Sequence, residues 1–411
     1  MASTDVVRWC RRRDYPRALP CLHSFAPVIP LPRVARCVTK EGSTSPWRVT
    51  RTLAACTLIL IAVPVRAQTA NSIIDSLMAS YAAPGGPGAS VLVIRDGRVT
   101  YSKGYGLADV ERRIAVTPQT NFRLASLSKQ FTATAIMLLV ADGKLRYDDA
   151  ITSLLPELPS LAKGVTVRQL LNHTSGLPDY EDFVPDSQTA QAHDRDIPGL
   201  IAHAAAVKFP AGRQFSYSNT GYGLLALIVE HTSGMRFADF LHARIFAPLG
   251  MTHTVAHEEG RSVVAHRAFG YSVNASGIRR TDQSNTSAVL GDGGIYTSIA
   301  DLAKWDRALA QHALVRADAQ RLAWTPPALE GGQPTEYGFG WFVDRDHETM
   351  RLRHHGESRG FTNAILRFPE RRLTVVVLTN RSGGAPWDIA QRIAELYLDP
   401  STGGASAAWH P

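Results

Sequence analysis

The sequence predicts an α+β fold, an α/β sandwich: one antiparallel sheet built from both chain ends, covered by the terminal helices, with a mainly helical lobe inserted between. Three observations carry this. Strand patterns occur near residues 90–105 and again at 352–379. The stretch 145–290 between them reads as helices and loops. Amphipathic segments stand at both ends of the strand-bearing region, and strands need such a layer to bury a face.

In chain order, Thr69 to Ala82 reads as a first amphipathic helix, broken by Pro84 to Gly88. Ser90–Ile94 and Val99–Tyr105 read as strands joined through Asp96-Gly97, a strong hairpin signal. Residues 126–142 form an apolar helix carrying Phe131, Ile136, Leu138 and Leu139, ended by Gly143. Long apolar helices are expected near 165–172, 198–206 and 219–233. Leu352–His354, Phe361–Phe368 and Leu373–Thr379 read as three antiparallel strands, and Ala385–Leu398 as a last helix. The expected division is 1–67 extension and leader, 68–399 catalytic domain, and 400–411 a frayed tail. Within the domain, 68–122 and 290–399 form the α/β lobe and 123–289 the helical lobe.

Charge and cysteine are confined to one end. Residues 1–67 hold eleven Lys/Arg and three Asp/Glu, a net of +8, and all four cysteines. The other 344 residues carry 33 basic and 33 acidic groups, net zero. That balance argues against a nucleic-acid partner, and no thiol chemistry is possible after residue 67. Arg48 and Arg51, the apolar run Leu53–Val65 and the small-residue site Val65-Arg66-Ala67 match a secretory signal cleaved near Ala67. The run is too short for a stable membrane span. The expected location is therefore periplasmic or secreted. Leu53-Ala54-Ala55-Cys56 resembles a lipoprotein box, but polar and charged residues lead into it.

The chemistry points to Ser126-Leu127-Ser128-Lys129. A serine at a helix N-terminus sits near free amides and the positive dipole end, and a lysine three residues on returns to the same face. A buried lysine with a lowered pKa can serve as the base that serine needs. Alone the tetrapeptide is weak: a helix cap with a surface lysine looks the same, and Ser160-Leu161-Ala162-Lys163 repeats the pattern between Pro159 and Gly164. Gly356-Glu357-Ser358-Arg359-Gly360 matches a nucleophile elbow, but a strand follows it where a helix is required. Tyr217-Ser218-Asn219 offers a phenol and an amide at the head of an apolar helix. His354-His355-Gly356 ends a strand, where a backbone amide can face an oxyanion. His-Thr-Ser-Gly occurs twice, at 173–176 and 231–234, in different surroundings.

Together these pieces resemble the serine β-lactamase and penicillin-recognising hydrolase family, in its class C β-lactamase-like, D-Ala-D-Ala carboxypeptidase and esterase branch. The resemblance extends to Val165–Leu177, Pro248-Leu249-Gly250-Met251, Gly293–Thr297 and Tyr337–Trp341. It implies a β-lactamase/transpeptidase-like fold and an acyl-enzyme on Ser126. Lys129 and Tyr217 would share the acid and base work, and Asn219 would bond Lys129 and the substrate amide. His354 would supply positive or donor character opposite Tyr217. The amides of Ser126 and Glu357 would form the oxyanion hole, and His355, Gly356 and Arg359 would contact substrate. No cofactor or metal is implied; His253 and His257 have i, i+4 spacing without a third ligand.

The resemblance implies a small-molecule or peptidoglycan-peptide-like substrate. Family members with His in the third triplet usually follow it with a hydroxyl residue, and follow the Gly with a small one. This chain has His355 and Glu357. Glu357 would repel a substrate carboxylate, an effect Arg359 or Arg353 could offset. The expected activity is therefore on esters or D-amino-acid amides and peptides, with weak or absent β-lactam turnover. A class C-type β-lactamase and a penicillin-binding sensor without turnover are the alternatives.

Overall fold

The fold is built around six strands that all pair antiparallel. They are β1 (Ala89–Arg95), β2 (Arg98–Tyr105), β3 (Phe342–Asp346), β4 (Thr349–Ser358), β5 (Phe361–Phe368) and β6 (Leu373–Thr379). Their order across the sheet is β3-β4-β5-β6-β1-β2. The early hairpin thus closes onto the late strands, with Val91 opposite Val377 and Val377 opposite Ala364. The hairpin turn has Asp96 at φ 53° and Gly97 at φ 75°, as a two-residue turn between right-twisted strands demands. This computed structural model describes residues 65–398 apart from residue 186. These fall within one compact unit, Ala62–Pro411. The earlier extension, with Cys56 and nearly all of the apolar run, and the tail 400–411 lie outside the described residues.

Both sheet faces are covered. Val91, Val93, Leu366, Val375 and Val377 pack with Ile74 of α1 (Val65–Leu77), with Met78 just after it, and with Ile389 and Ile393 of the C-terminal helix Pro386–Leu398. Leu92, Ile94, Ile365, Val376 and Leu378 face the helical side of the molecule. Every residue of β5 and β6 is buried. A strand buried on both faces reads as a continuous apolar run, not an alternating one. Each such Val or Leu contributes roughly 1.5–3 kcal/mol of burial.

The site rests on α2 (Lys129–Ala141), entered through a 3-10 turn over Ala125–Ser128, and on α3 (Asn219–Ser233). Two of the helices expected to be long are single turns. Val167–Leu171 is a capped turn closed by Thr166 and Gln169, and Ile197–Ile201 follows a short 3-10 turn. The sequence pattern misses strand β3 and α4 (Ile299–Gln311). β3 is an edge strand whose Asp344 and Asp346 pair with Arg351 and Arg353 of β4, so it lacks an apolar signature. Among the described residues, no helix is long and apolar enough to cross a membrane.

Candidate active site

A bent entry segment aims Ser126. Ala125 has a left-handed backbone, φ 50°, which turns the chain sharply before the helix. Asn363 on β5 holds this bend, its side-chain amide donating to the carbonyls of Arg123 (2.8 Å) and Leu124 (3.2 Å). β4 packs against the same bend. A Cβ on Gly356 would stand 2.2 Å from the Leu124 carbonyl oxygen, so only glycine allows the approach. The amides of Ser126 and Glu357 therefore belong to two segments in direct contact.

Lys129 has no solvent exposure. Its Nζ donates to Ser126 Oγ (3.1 Å), to Asn219 Oδ1 (2.7 Å) and to the carbonyl of Asp292 (3.0 Å). Burial pulls its pKa down to about 8, and Asp292, Glu181 and Asp179 hold it from falling further. Asp292 is buried on the turn Leu290–Gly293, and its carboxylate accepts from the Tyr180 hydroxyl (2.9 Å). Burial pushes the Asp292 carboxyl up to about 6, against the pull of Lys129.

Tyr217 places its ring 5.0 Å from the Lys129 ammonium. Its hydroxyl is buried without a well-formed hydrogen bond. Burial drives that phenol well above its ordinary pKa, more than the nearby Ser126 hydroxyl lowers it. It is therefore protonated at neutral pH. Asn219 opens α3, and its backbone amide donates to Asp179 (2.9 Å). Glu181 stands exposed to solvent nearby, with its carboxylate on the Asn219 side chain. The cleft wall, then Asp179 and Asp292, raise that carboxyl above its usual range.

His354 is buried on β4. Its Nδ1 faces the His355 carbonyl (2.6 Å), which only accepts, so Nδ1 carries the proton. Nε2 is left to accept from the Tyr337 hydroxyl (2.9 Å). Burial, His355 and Lys129 hold the ring's pKa far below the ordinary histidine value. Of the positive or donor character expected of His354, the geometry favours a neutral imidazole with both nitrogens engaged.

His355 and Glu357 are exposed on the same strand, with Arg359 beyond them on the β4–β5 turn. Arg359 lines an open groove of about 470 Å³ with Arg279, Arg280, Thr281, Asp282 and Gln283. Arg353 is committed to Asp344 (2.6 Å) and Glu336 (3.2 Å), so it does not offset Glu357. The rival motifs lie elsewhere in structure. Ser160 opens a single 3-10 turn with Lys163 exposed, and Ser358 ends a strand. Sequence reading missed Asp292, Tyr180, Glu181, His173 and Tyr337. Of these only His173 and Tyr337 lie in segments whose resemblance had marked them.

The Beta-lactamase family matches residues 70–398. Penicillin-binding protein 4* of Bacillus subtilis (strain 168) is 32% identical over 338 residues, covering 74% of each chain. A D-aminopeptidase of Gluconobacter oxydans (strain 621H) is 31% identical over 75% of this chain; the match spans 58% of that protein's length. Among solved structures, the octameric penicillin-binding protein homologue from Pyrococcus abyssi superposes with TM-score 0.68 at 30% identity, over 80% of this chain and 77% of the other. The D-amino acid amidase from Ochrobactrum anthropi SV3 does so with TM-score 0.68 at 27% identity, over 80% and 99%. The chain is thus a serine hydrolase by kinship as well as by architecture, and it belongs to the Beta-lactamase family.

Proposed function

We propose that the chain is an exported hydrolase that works through an acyl-enzyme on Ser126 and favours amides, peptides or esters of amino acids with a free amino group. The observation that carries the mechanism is the buried Lys129 ammonium, 3.1 Å from Ser126 Oγ with its pKa lowered to about 8. Neutral Lys129 takes the serine proton as Oγ attacks the carbonyl. The amides of Ser126 and Glu357 receive the oxyanion. Tyr217, protonated, hands its proton to the leaving group and regains the proton that Lys129 took from Ser126. The same base then activates water for release of the acyl group. Asn219 keeps Lys129 in place and turns its amide toward the substrate.

The charges around the cleft support the substrate class. Glu181 and Glu357 are both exposed carboxyls beside the catalytic groups, and Arg353 is already paired. An ammonium next to the scissile carbonyl suits Glu181 and draws its raised pKa down, while a substrate carboxylate finds no free cation in Arg353 and no donor charge in Glu357. Kinship with a D-aminopeptidase and a D-amino acid amidase supports D-amino-acid derivatives. Similarity to penicillin-binding protein 4* supports a second reading, acylation by β-lactams with slow release.

The test compares kcat/KM for a D-amino-acid amide, an aryl acetate, a D-Ala-D-Ala peptide and a chromogenic cephalosporin. The D-amino-acid amide leads; dominant hydrolysis of the aryl acetate or of the cephalosporin overturns the substrate class. Intact-mass spectra after penicillin treatment address the second reading, which needs a lasting adduct. N-terminal sequencing of secreted protein is expected to begin near Gln68.

A further inference from the structure

The two copies of His-Thr-Ser-Gly have different fates. His231 lies in the last turn of α3, half exposed beside Glu157. His173 is buried against the catalytic centre. Its ring packs on the Tyr217 ring, centroids 4.2 Å apart and tilted by 36°.

His173 has a left-handed backbone, φ 58°. For a residue with a side chain this conformation costs about 1–3 kcal/mol and persists only where its surroundings require it. Here it turns both acceptors of one residue onto one neighbouring segment. The His173 carbonyl accepts from the Ser216 amide (3.0 Å). Its Nδ1 accepts from the Ser218 amide (3.2 Å). Those two amides flank Tyr217, so the backbone on each side of the tyrosine is held by His173 while the imidazole supports the phenol ring.

Because Nδ1 accepts, the proton sits on Nε2, which finds no hydrogen-bond partner. The Tyr337 ring lies 4.4 Å away, near edge-on at 61°. Burial and the Lys129 charge favour the neutral ring. A protonated ring would set an N–H at Nδ1 against the Ser218 N–H, donor against donor.

We propose that His173 is a positioning residue for Tyr217: its carbonyl and Nδ1 clamp the flanking amides and its ring fixes the phenol for proton transfer. The proposal rests on the catalytic reading of Tyr217. His173 itself does not touch the substrate.

A double-mutant cycle separates the two claims. His173→Asn keeps an acceptor near the Nδ1 position and tolerates the left-handed backbone. His173→Gln moves the polar group away. On an aryl ester, His173→Gln is expected to lower kcat at least about tenfold with KM changed less than about threefold, and His173→Asn to recover at least about threefold of that. In a Tyr217→Phe background, His173→Gln should cost less than about twofold more. An equal loss in both backgrounds, or no loss of kcat in His173→Gln, overturns the positioning role alone. Unchanged kcat in Tyr217→Phe overturns the reading of Tyr217, and the His173 proposal with it. A measurement on the unaltered protein stands independently of variant folding: ¹⁵N NMR should show His173 neutral and protonated on Nε2 through the pH range in which an ordinary histidine takes up its proton. The Nδ1–H tautomer, or a protonated ring in that range, contradicts the clamp.

Discussion

Replacing Asp292 with Asn should move the acid limb of the pH–rate profile to lower pH. Asp292 is the foremost of the charges that hold up the pKa of Lys129 against burial. Its carboxylate is buried, and its backbone carbonyl sits 3.0 Å from Lys129 Nζ. Asparagine keeps the shape, keeps the carbonyl and can still accept from Tyr180. What it removes is the charge. An opposite charge at close range shifts a pKa by about 1–3 units. Without it, Lys129 should fall from about 8 by at least about one unit, worth about 1.4 kcal/mol. The active base is the neutral amine, so a lower pKa means more active enzyme at acid pH. At pH 7 the neutral share rises from about one tenth toward one half. Asp292 itself titrates near 6, so the two profiles should converge as wild type loses the same charge below that pH. The assay is kcat/KM for an aryl ester between pH 5 and 10, which reports the free enzyme. An acid limb that stays near 8 in the variant, or moves up, refutes the reasoning.

Three other perturbations follow from the geometry. Gly356→Ala drives a Cβ into the Leu124 carbonyl, 2.2 Å away. It should cost about 1–3 kcal/mol in urea unfolding and reduce turnover more than binding; wild-type turnover contradicts the close approach. Glu181→Gln should raise KM for a D-amino-acid amide about tenfold and leave the N-acetylated amide unchanged, an equal change in both removing the ammonium assignment. Asp306→Ala leaves Arg367 without its buried partner, since Asp306 accepts from Arg367 (2.9 Å) and Thr374 (2.6 Å). The expected loss is about 3–5 kcal/mol by chemical denaturation, and a loss below about 1 kcal/mol refutes it.

What was legible in the sequence had local causes. The hairpin was readable because Asp96-Gly97 suits a turn with two positive φ values. Strands β5 and β6 were readable because burial on both faces leaves apolar runs such as Val375–Leu378 and Ala364–Leu366. The single turns at 167–171 and 197–201 were over-read because apolar content reports burial, not helix length. β3 was missed because its Asp344 and Asp346 answer arginines on the next strand. At the site, Ser126 and Lys129 are three residues apart, so helical spacing brings them together. Asp292 reaches Lys129 across 163 residues of chain, and no local pattern records that approach. The neutral state of His354 was equally out of reach, since it comes from burial and from Tyr337, 17 residues away on another segment.

The central claim is that Ser126 is the nucleophile and Lys129 its base. Intact-mass spectrometry with a fluorophosphonate probe tests it most directly, on wild type, Ser126→Ala and Lys129→Ala, with melting curves to confirm that each is folded. Wild type should gain one adduct on the peptide carrying Ser126. Ser126→Ala should gain none, and Lys129→Ala should label at least about a thousandfold more slowly. Undiminished labelling of folded Ser126→Ala, or wild-type labelling rates in Lys129→Ala, would contradict the account.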